Sequence, residues 1–236
     1  SGIMVFSGFM ATVFVGYSNL DPILAKVLVV LIGALSGALV GILIGYLKHR
    51  FNMNEVVVAI MLNYIISYVV SFFIQTRFID PITRQSVAVT QNARLTLFDY
   101  PVGSLKMEIA LVFPLAILAV FAIKFVLDRT RFGFELKAVG SNSKASNYAG
   151  IQVGRAVVFT MIISGALAGL AGVSYYLGSN ASIQPRVLPS LGFDAIAVAL
   201  LGNTSAIGSF FSSLLVMIFD CGTTYMSSRM QVLREI

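Results

Sequence analysis

Charge is scarce in this chain. Of its 236 residues, 11% are charged and 58% hydrophobic, and the mean hydropathy is +0.90. Soluble domains carry about 25% charged residues, so the composition argues against a soluble globular domain. Cysteine is almost absent. Cys221 alone excludes an internal disulfide framework and a multi-cysteine metal site, and it reads as a small apolar filler. The one histidine, His49, stands between Lys48 and Arg50 at the edge of an apolar run. With no G-x-S-x-G elbow in the chain, an intramembrane Ser–His hydrolase has little support, and His49 reads as a solvated interface residue. A G-x-x-x-x-G-K-[ST] phosphate loop is also missing, so the chain is not expected to hydrolyse ATP itself. The net charge of +6 is spread over loops, which points to anionic lipid headgroups and topology rather than to nucleic acid. Neither an initiator methionine nor a basic leader opens SGIMVFSGFM, and SSRMQVLREI closes the chain abruptly. Both ends look cut, and further helices are expected in the full protein.

What the chain has in quantity is apolar length. Several runs approach or exceed the roughly 20 residues that cross ~30 Å of hydrocarbon. The expected fold is an all-α polytopic transmembrane bundle, a single domain over 1–236. A short run at 3–17 ends at the turn signal Ser18-Asn19-Leu20-Asp21-Pro22, and a long span follows over 23–47. Lys48-His49-Arg50 closes that span, and Asn52-Met53-Asn54-Glu55 opens the next, 55–75. A hydrophilic loop at 76–106 is bracketed by Pro81 and Pro101, and a span at 107–127 is expected to be kinked or locally repaired at Pro114. Residues 155–178 cross again. The stretch 193–219 is broken at Gly202-Asn203-Thr204-Ser205 and reads as two half-helices. Lys and Arg number seven in loops 48–54 and 128–155, against five in the longer set 18–22, 76–106 and 179–192. This bias puts 128–155 on the cytoplasmic side.

Small and polar residues inside the spans carry the remaining information. Gly33, Gly37, Gly41 and Gly45 recur every four residues, hence on one slowly drifting helix face. They read as a packing seam, with a pore-lining groove as the alternative. Asn63, Ser67, Ser71 and Gln75 form a stripe that drifts roughly 40° per step. Such groups are costly against lipid, so they face protein or a water-filled path. Interhelical hydrogen bonding is one reading. The other is a lining for a polar, uncharged solute, with Tyr64 and Tyr68 beside it to stack on a ring or to pack. The break at 202–205 allows the same choice, because unwound backbone survives in lipid only when buried or lining a cavity. Asn203 is a turn residue or a contact there, and Asp194 reads as a helix-start carboxylate.

The most informative stretch is the polar island RTRFGFELKAVGSNSKASNYAGIQVGR, residues 129–155. Phe132, Phe134, Leu136, Val139, Tyr148 and Ile151 alternate there with charged and small residues. A short helix near 141–149 would either insert into a groove on a partner or lie flat in the headgroups.

Three segments carry a family resemblance. GFELKAVGSNSKASNYAGI, from Gly133 to Ile151, resembles the cytoplasmic coupling segment of bacterial ABC-importer permeases of the nucleoside, ribose and branched-chain amino-acid group. NEVVVAIMLNYI, from Asn54, and GFDAIAVALLGNTSAIG, from Gly192, resemble segments of the nucleoside branch. The resemblance implies a multi-pass permease of the bacterial inner membrane, paired with an identical or distinct second permease. ABC ATPase subunits, which hold the ATP and Mg, and an extracytoplasmic solute-binding lipoprotein complete such an importer; the chain itself binds no cofactor and no metal. Gly133, Glu135, Ala138, Gly140, Asn142, Ala149 and Gly150 match the coupling pattern. Ser143 and Lys144 depart from its Pro-Glu-type pair and Ser146 from a usual Ala, which puts the local helix start in doubt. The alternatives are a ribose or other neutral-sugar permease and, in a different class, an ion-coupled secondary transporter. The latter needs an acidic residue deep in a helix, whereas Asp194 and Asp220 are expected near helix ends and Glu55 and Glu108 at helix starts.

Overall fold

Glycine spacing decides which helices meet in this protein. The computed structural model describes residues 1–18, 21–51, 53–81, 84–90, 93–102, 105–110, 112–180 and 182–230. Asn19 and Leu20 of the first turn signal, Asn52, and the terminal 231–236 lie outside the described residues. Helix α1 (Gly2–Ala11) runs into a π-helical turn at Thr12–Gly16. The longest helix is α2 (Pro22–Phe51), and α3 (Glu55–Phe73) ends in a second π turn, Ile74–Phe78. After α4 (Val112–Arg129) come α5 (Arg131–Ser141), α6 (Ser143–Tyr148) and α7 (Val153–Val173), which continues as a π segment to Asn180. Helices α8 (Leu191–Leu201) and α9 (Ala206–Met230) complete the bundle. By length and apolarity, Pro22–Phe51, Glu55–Phe78, Val153–Asn180 and Ala206–Ser227 can each cross a membrane.

The contact between α2 and α7 is the most extensive in the bundle among the described residues. A Cβ placed on Gly37 would land on the carbonyl oxygen of Gly165, and one on Gly41 on that of Met161. Gly165 and Gly169 return the contact against the carbonyls of Gly37 and Gly33. Both backbones therefore touch with no side chain between them, the small-residue packing that lipid favours because no hydrophobic force drives helices together there. The glycine stripe is a seam. Helix α1 is clipped to it by Ser7, whose buried Oγ donates to the Gly169 carbonyl at 3.0 Å.

Several sequence expectations are corrected. The span at 107–127 begins later, because residues 105–110 pair as a strand. β2 (Leu105–Ala110) lies antiparallel to β1 (Thr96–Val102), with Tyr100 opposite Met107 and Asp99 opposite Glu108. The alternation in LKMEIA fits a strand, and Glu108 sits inside it rather than at a helix start. Pro114 then falls in the first turn of α4, where its missing N–H is one of four that have no intrahelical partner, so no kink is needed. The break at 202–205 separates an 11-residue helix from a 25-residue one, a half span and a full span rather than two halves. Asp220, expected near an end, lies well inside α9.

The two ends of the bundle differ. At one, the His49 ring covers Gly154, so the 48–54 loop and the island share a side. At the other, Thr90 N–H donates to the Gly16 carbonyl at 3.0 Å and Ser86 N–H to that of Ile183 at 3.0 Å. The loops thus fall into the same two sets by contact as by charge counting. Val15, Val29, Ile74, Leu95, Leu177 and Ile183, each 2% exposed or less, form the core at that second end.

Gly37→Val is expected to force α2 and α7 apart, destabilising the bundle by about 2 kcal/mol. A lower melting temperature in detergent checks this, with Gly222→Val, where a Cβ meets nothing within 4 Å, as the tolerated control.

Candidate functional site

The island folds as two helices on a tight turn. Its first corner needs glycine: a Cβ on Gly133 would strike the carbonyls of Val126 and Leu127, so only glycine lets α5 fold back over the end of α4. Thr130 caps α5 by accepting from Gly133 N–H at 3.2 Å. Phe132 fixes α5 to α7 through an edge contact with Phe159, 6.2 Å between ring centres. Lys137 Nζ lies 2.8 Å from Asp128, and this hydrogen bond holds the Asp128 carboxyl below the usual carboxylate range.

Helix α6 starts without the Pro-Glu-type pair. The Asn142 side chain replaces it, its Oδ1 accepting from both Lys144 and Ala145 N–H at 3.1 Å. Ser146, at the departure from the usual Ala, is buried and donates to the Asn142 carbonyl at 2.9 Å. The helix ends at Ala149 and Gly150; Gly150 has φ +83°, the left-handed conformation that glycine adopts without strain. Ile151 N–H then closes on the Ser146 carbonyl at 3.0 Å. What results is a rigid, capped knob.

The seven residues that match the coupling pattern therefore divide by position. Gly133 and Asn142 build the turn and the cap, and Gly150 ends α6. Glu135 and Ala138 are half-buried on α5, while Gly140 and Ala149 are exposed. A Cβ on Gly140 meets nothing within 4 Å. Tyr148 is 95% exposed and Phe134 70%, two large rings held outward on a polar surface. Behind the knob, a groove of about 900 Å³ separates α5 and α6 from the ends of α2 and α7.

The polar stripe is split by the structure. Asn63 Oδ1 accepts from Gly2 N–H at 2.8 Å, and Asn63 also lines a cavity of about 330 Å³ with Glu55, Ala59, Ser164 and Phe193. Ser67 and Ser71 are buried at 6% and 4%, and Ser71 Oγ donates to the Ser67 carbonyl at 2.6 Å. The same Oγ accepts from Arg186 N–H at 2.7 Å, a tie to the loop before α8. Tyr64, Tyr68 and Gln75 are exposed, and Gln75 lies in the π turn, whose changed winding takes it off the stripe.

Asn203 lies in an exposed turn with φ +51°, followed by Thr204 at +53°. Two successive left-handed non-glycine residues are uncommon, more so when one is β-branched. Close stacking imposes the turn: a Cβ on Gly208 would meet the Gly202 carbonyl, and Ser205 Oγ accepts from Gly208 N–H at 3.0 Å. Helix α8 starts at the cavity beside Asn63 and passes Val56 and Ala59, with Ile196 on the same wall. Its 11 residues span about 16 Å. Asp194 is exposed in the first turn of α8, as its helix-start reading requires. Glu55 opens α3 and pairs with Lys48 at 2.8 Å. The Ser71–Arg186 tie joins residues 115 apart, so no local pattern announces it.

Apolar helices long enough to span, joined by an exposed knob at one end, define a multi-pass membrane protein. Residues 1–234 match the family model described as the branched-chain amino acid transport system / permease component, and the chain belongs to that family. It is 36% identical over 221 residues to the nucleoside ABC transporter permease protein NupB of Lactococcus lactis, a match covering 90% of this chain and 60% of the relative. To the guanosine ABC transporter permease protein NupP of Bacillus subtilis it is 32% identical over 212 residues, 89% of this chain and 60% of the relative. The ribose import permease protein RbsC of Haemophilus influenzae is 37% identical over 90 residues, 38% of this chain and 28% of the relative. The chain thus spans about 60% of the length of the first two relatives. No solved structure matches it.

Asn142→Ala is expected to remove both cap bonds at a cost of about 1 kcal/mol. Amide exchange should quicken over 143–149 and stay unchanged in α2 and α7; unchanged exchange in α6 would show that the cap does not hold the knob.

Proposed function

We propose that this chain belongs to the permease subunit of an ATP-driven ABC importer for nucleosides in the bacterial cytoplasmic membrane. The observation that carries the reading is the capped knob at 129–155, taken with 36% and 32% identity to nucleoside and guanosine permeases over about nine-tenths of the chain. The knob would sit in a cleft of a separate ATPase, which binds ATP and Mg. A second permease subunit, identical or distinct, and an extracytoplasmic solute-binding lipoprotein would complete the assembly. Closure of the ATPase would push on α5 and α6, and through Phe132 and Phe159 on α7. Asn63, at the cavity between α3, α7 and α8, would meet the solute, and Ser67 and Ser71 would close the path beyond it. Tyr64, Tyr68 and Gln75, exposed in this chain, would reach the path only through surfaces that other helices complete.

A ribose or other neutral-sugar permease is the second reading. It is favoured by the 37% identity to ribose permeases, which is confined to 38–39% of this chain. Neutral amides and hydroxyls serve either solute.

Gly140→Arg separates docking from folding, because the position is open within the chain. Uptake of labelled guanosine by cells carrying the complete operon is expected to fall at least about tenfold, with the subunit still present in the membrane; retained uptake would contradict the docking role. Asn63→Leu is expected to lower uptake several-fold, since one lost hydrogen bond is worth about 1 kcal/mol, while ATPase co-purification is unchanged. Competition of wild-type uptake by ribose rather than guanosine would move the substrate to the sugars.

A further inference from the structure

Three helices change their winding at the same end of the bundle, the end opposite the knob. These are the π turns Thr12–Gly16 and Ile74–Phe78 and the π segment Ser174–Asn180. Tyr17 stacks on Phe78 there, 5.4 Å between rings, and Val15, Ile74 and Leu177, one from each segment, share one buried cluster, so the three lie together. Insertions of this kind are frequent at functional sites, where they swing side chains out of the helical register.

Between the last π segment, the turn at Gln85 and the loop 182–189 lies a pocket of about 290 Å³. Gln85, Tyr175, Tyr176, Asn180, Ser182 and Gln184 line it together with Val187 and Pro189, and all eight residues are uncharged. Tyr176 is 4% exposed and held edge-on to Tyr175, 5.0 Å between ring centres at 84°. A Cβ on Gly8 would collide with the Tyr176 ring, so α1 braces it from behind.

The walls are stitched together. Ser182 Oγ donates to Gln85 Oε1 at 2.6 Å, and Ser86 Oγ accepts from Ile183 N–H at 2.8 Å. Arg84 and Arg186, on either side of the pocket, hold φ of +54° and +64°. Such backbone at non-glycine residues is strained and persists where the surroundings over-determine it, as at ligand clamps.

We propose that this pocket is a solute subsite that takes an uncharged ribonucleoside, its base against the Tyr175 ring and its hydroxyls among Gln85, Ser182 and Gln184. The volume is close to the lower bound of about 300 Å³ for ligand pockets. Aromatic rings suit a planar base, and neutral amides and hydroxyls supply both donors and acceptors. No cationic side chain lines it, so a phosphorylated nucleotide gains nothing over the nucleoside. The inference rests on the nucleoside-importer reading and deepens it. It places a first contact on the side from which solute would arrive.

The test uses the complete importer in proteoliposomes, with the full-length permease and an 8-azidoguanosine photoprobe. The probe is expected to label the peptide 174–190, with protection by guanosine that guanosine monophosphate does not exceed. Labelling should fall about tenfold in Tyr175→Ala and several-fold in Gln184→Ala, while Tyr175→Phe keeps it. If Tyr175→Ala fails to assemble, Gln184→Ala, at an exposed position, carries the test. Labelling elsewhere, or unchanged in both alanine variants while wild-type guanosine uptake is intact, overturns the subsite alone. Absence of wild-type nucleoside uptake overturns the functional reading, and the subsite with it.

Discussion

Direct contact between the backbones of α2 and α7 holds this protein together. Inside lipid an apolar side chain gains nothing by leaving hydrocarbon for another helix, so packing must come from close approach. Gly33, Gly37 and Gly41 on one helix and Gly165 and Gly169 on the other remove every atom that would keep the two axes apart. The remaining helices are placed from this pair: α1 through Ser7 on the Gly169 carbonyl, α5 through Phe132 on Phe159, and α3 through its shared core with α1 and α2.

A single helix also joins the two regions of functional interest. Helix α7 begins under His49 beside the knob and ends in the π segment that lines the uncharged pocket. Its middle is locked to α2, so it moves as a rigid rod or together with α2. In the proposed importer, a push on the knob would reach the far end as a tilt of this pair rather than as a bend within it, the rigid-body route that packed elements favour over continuous deformation. Among the described residues, the π segments lie at the end opposite the knob, and a left-handed turn at Asn203 and Thr204 separates α8 from α9.

The outer surface carries a different message. Phe211, Met217, Ile218 and Phe219 of α9 are each more than half exposed, as are Leu31, Leu35 and Leu39 of α2. Apolar faces of this extent belong against lipid or other helices. Helix α9 buries little against the described residues.

Much of this was legible in the residues because it depends on local repeats. The four-residue glycine period announced a seam, the polar island a surface knob, and Gly-Asn-Thr-Ser a break, since each is written within a few helical turns. Alternation in LKMEIA was equally local, and signalled a strand where a span had been expected. The polar stripe shows where local reading stops. Its period placed Asn63, Ser67 and Ser71 on one face, but whether that face met protein or solute depended on Gly2 and Arg186, which lie far off in the chain. The sequence by itself determined the membrane-spanning class, the boundaries of α2, α3 and α7 to within a few residues and the two-sided sorting of the loops. Only the tertiary structure decided that α7 is the partner of the glycine stripe, that Asn142 starts α6 without the Pro-Glu-type pair, and that Gln85, Tyr175 and Gln184 meet around one pocket. Periodicity specifies a face, and only the folded chain specifies what that face touches.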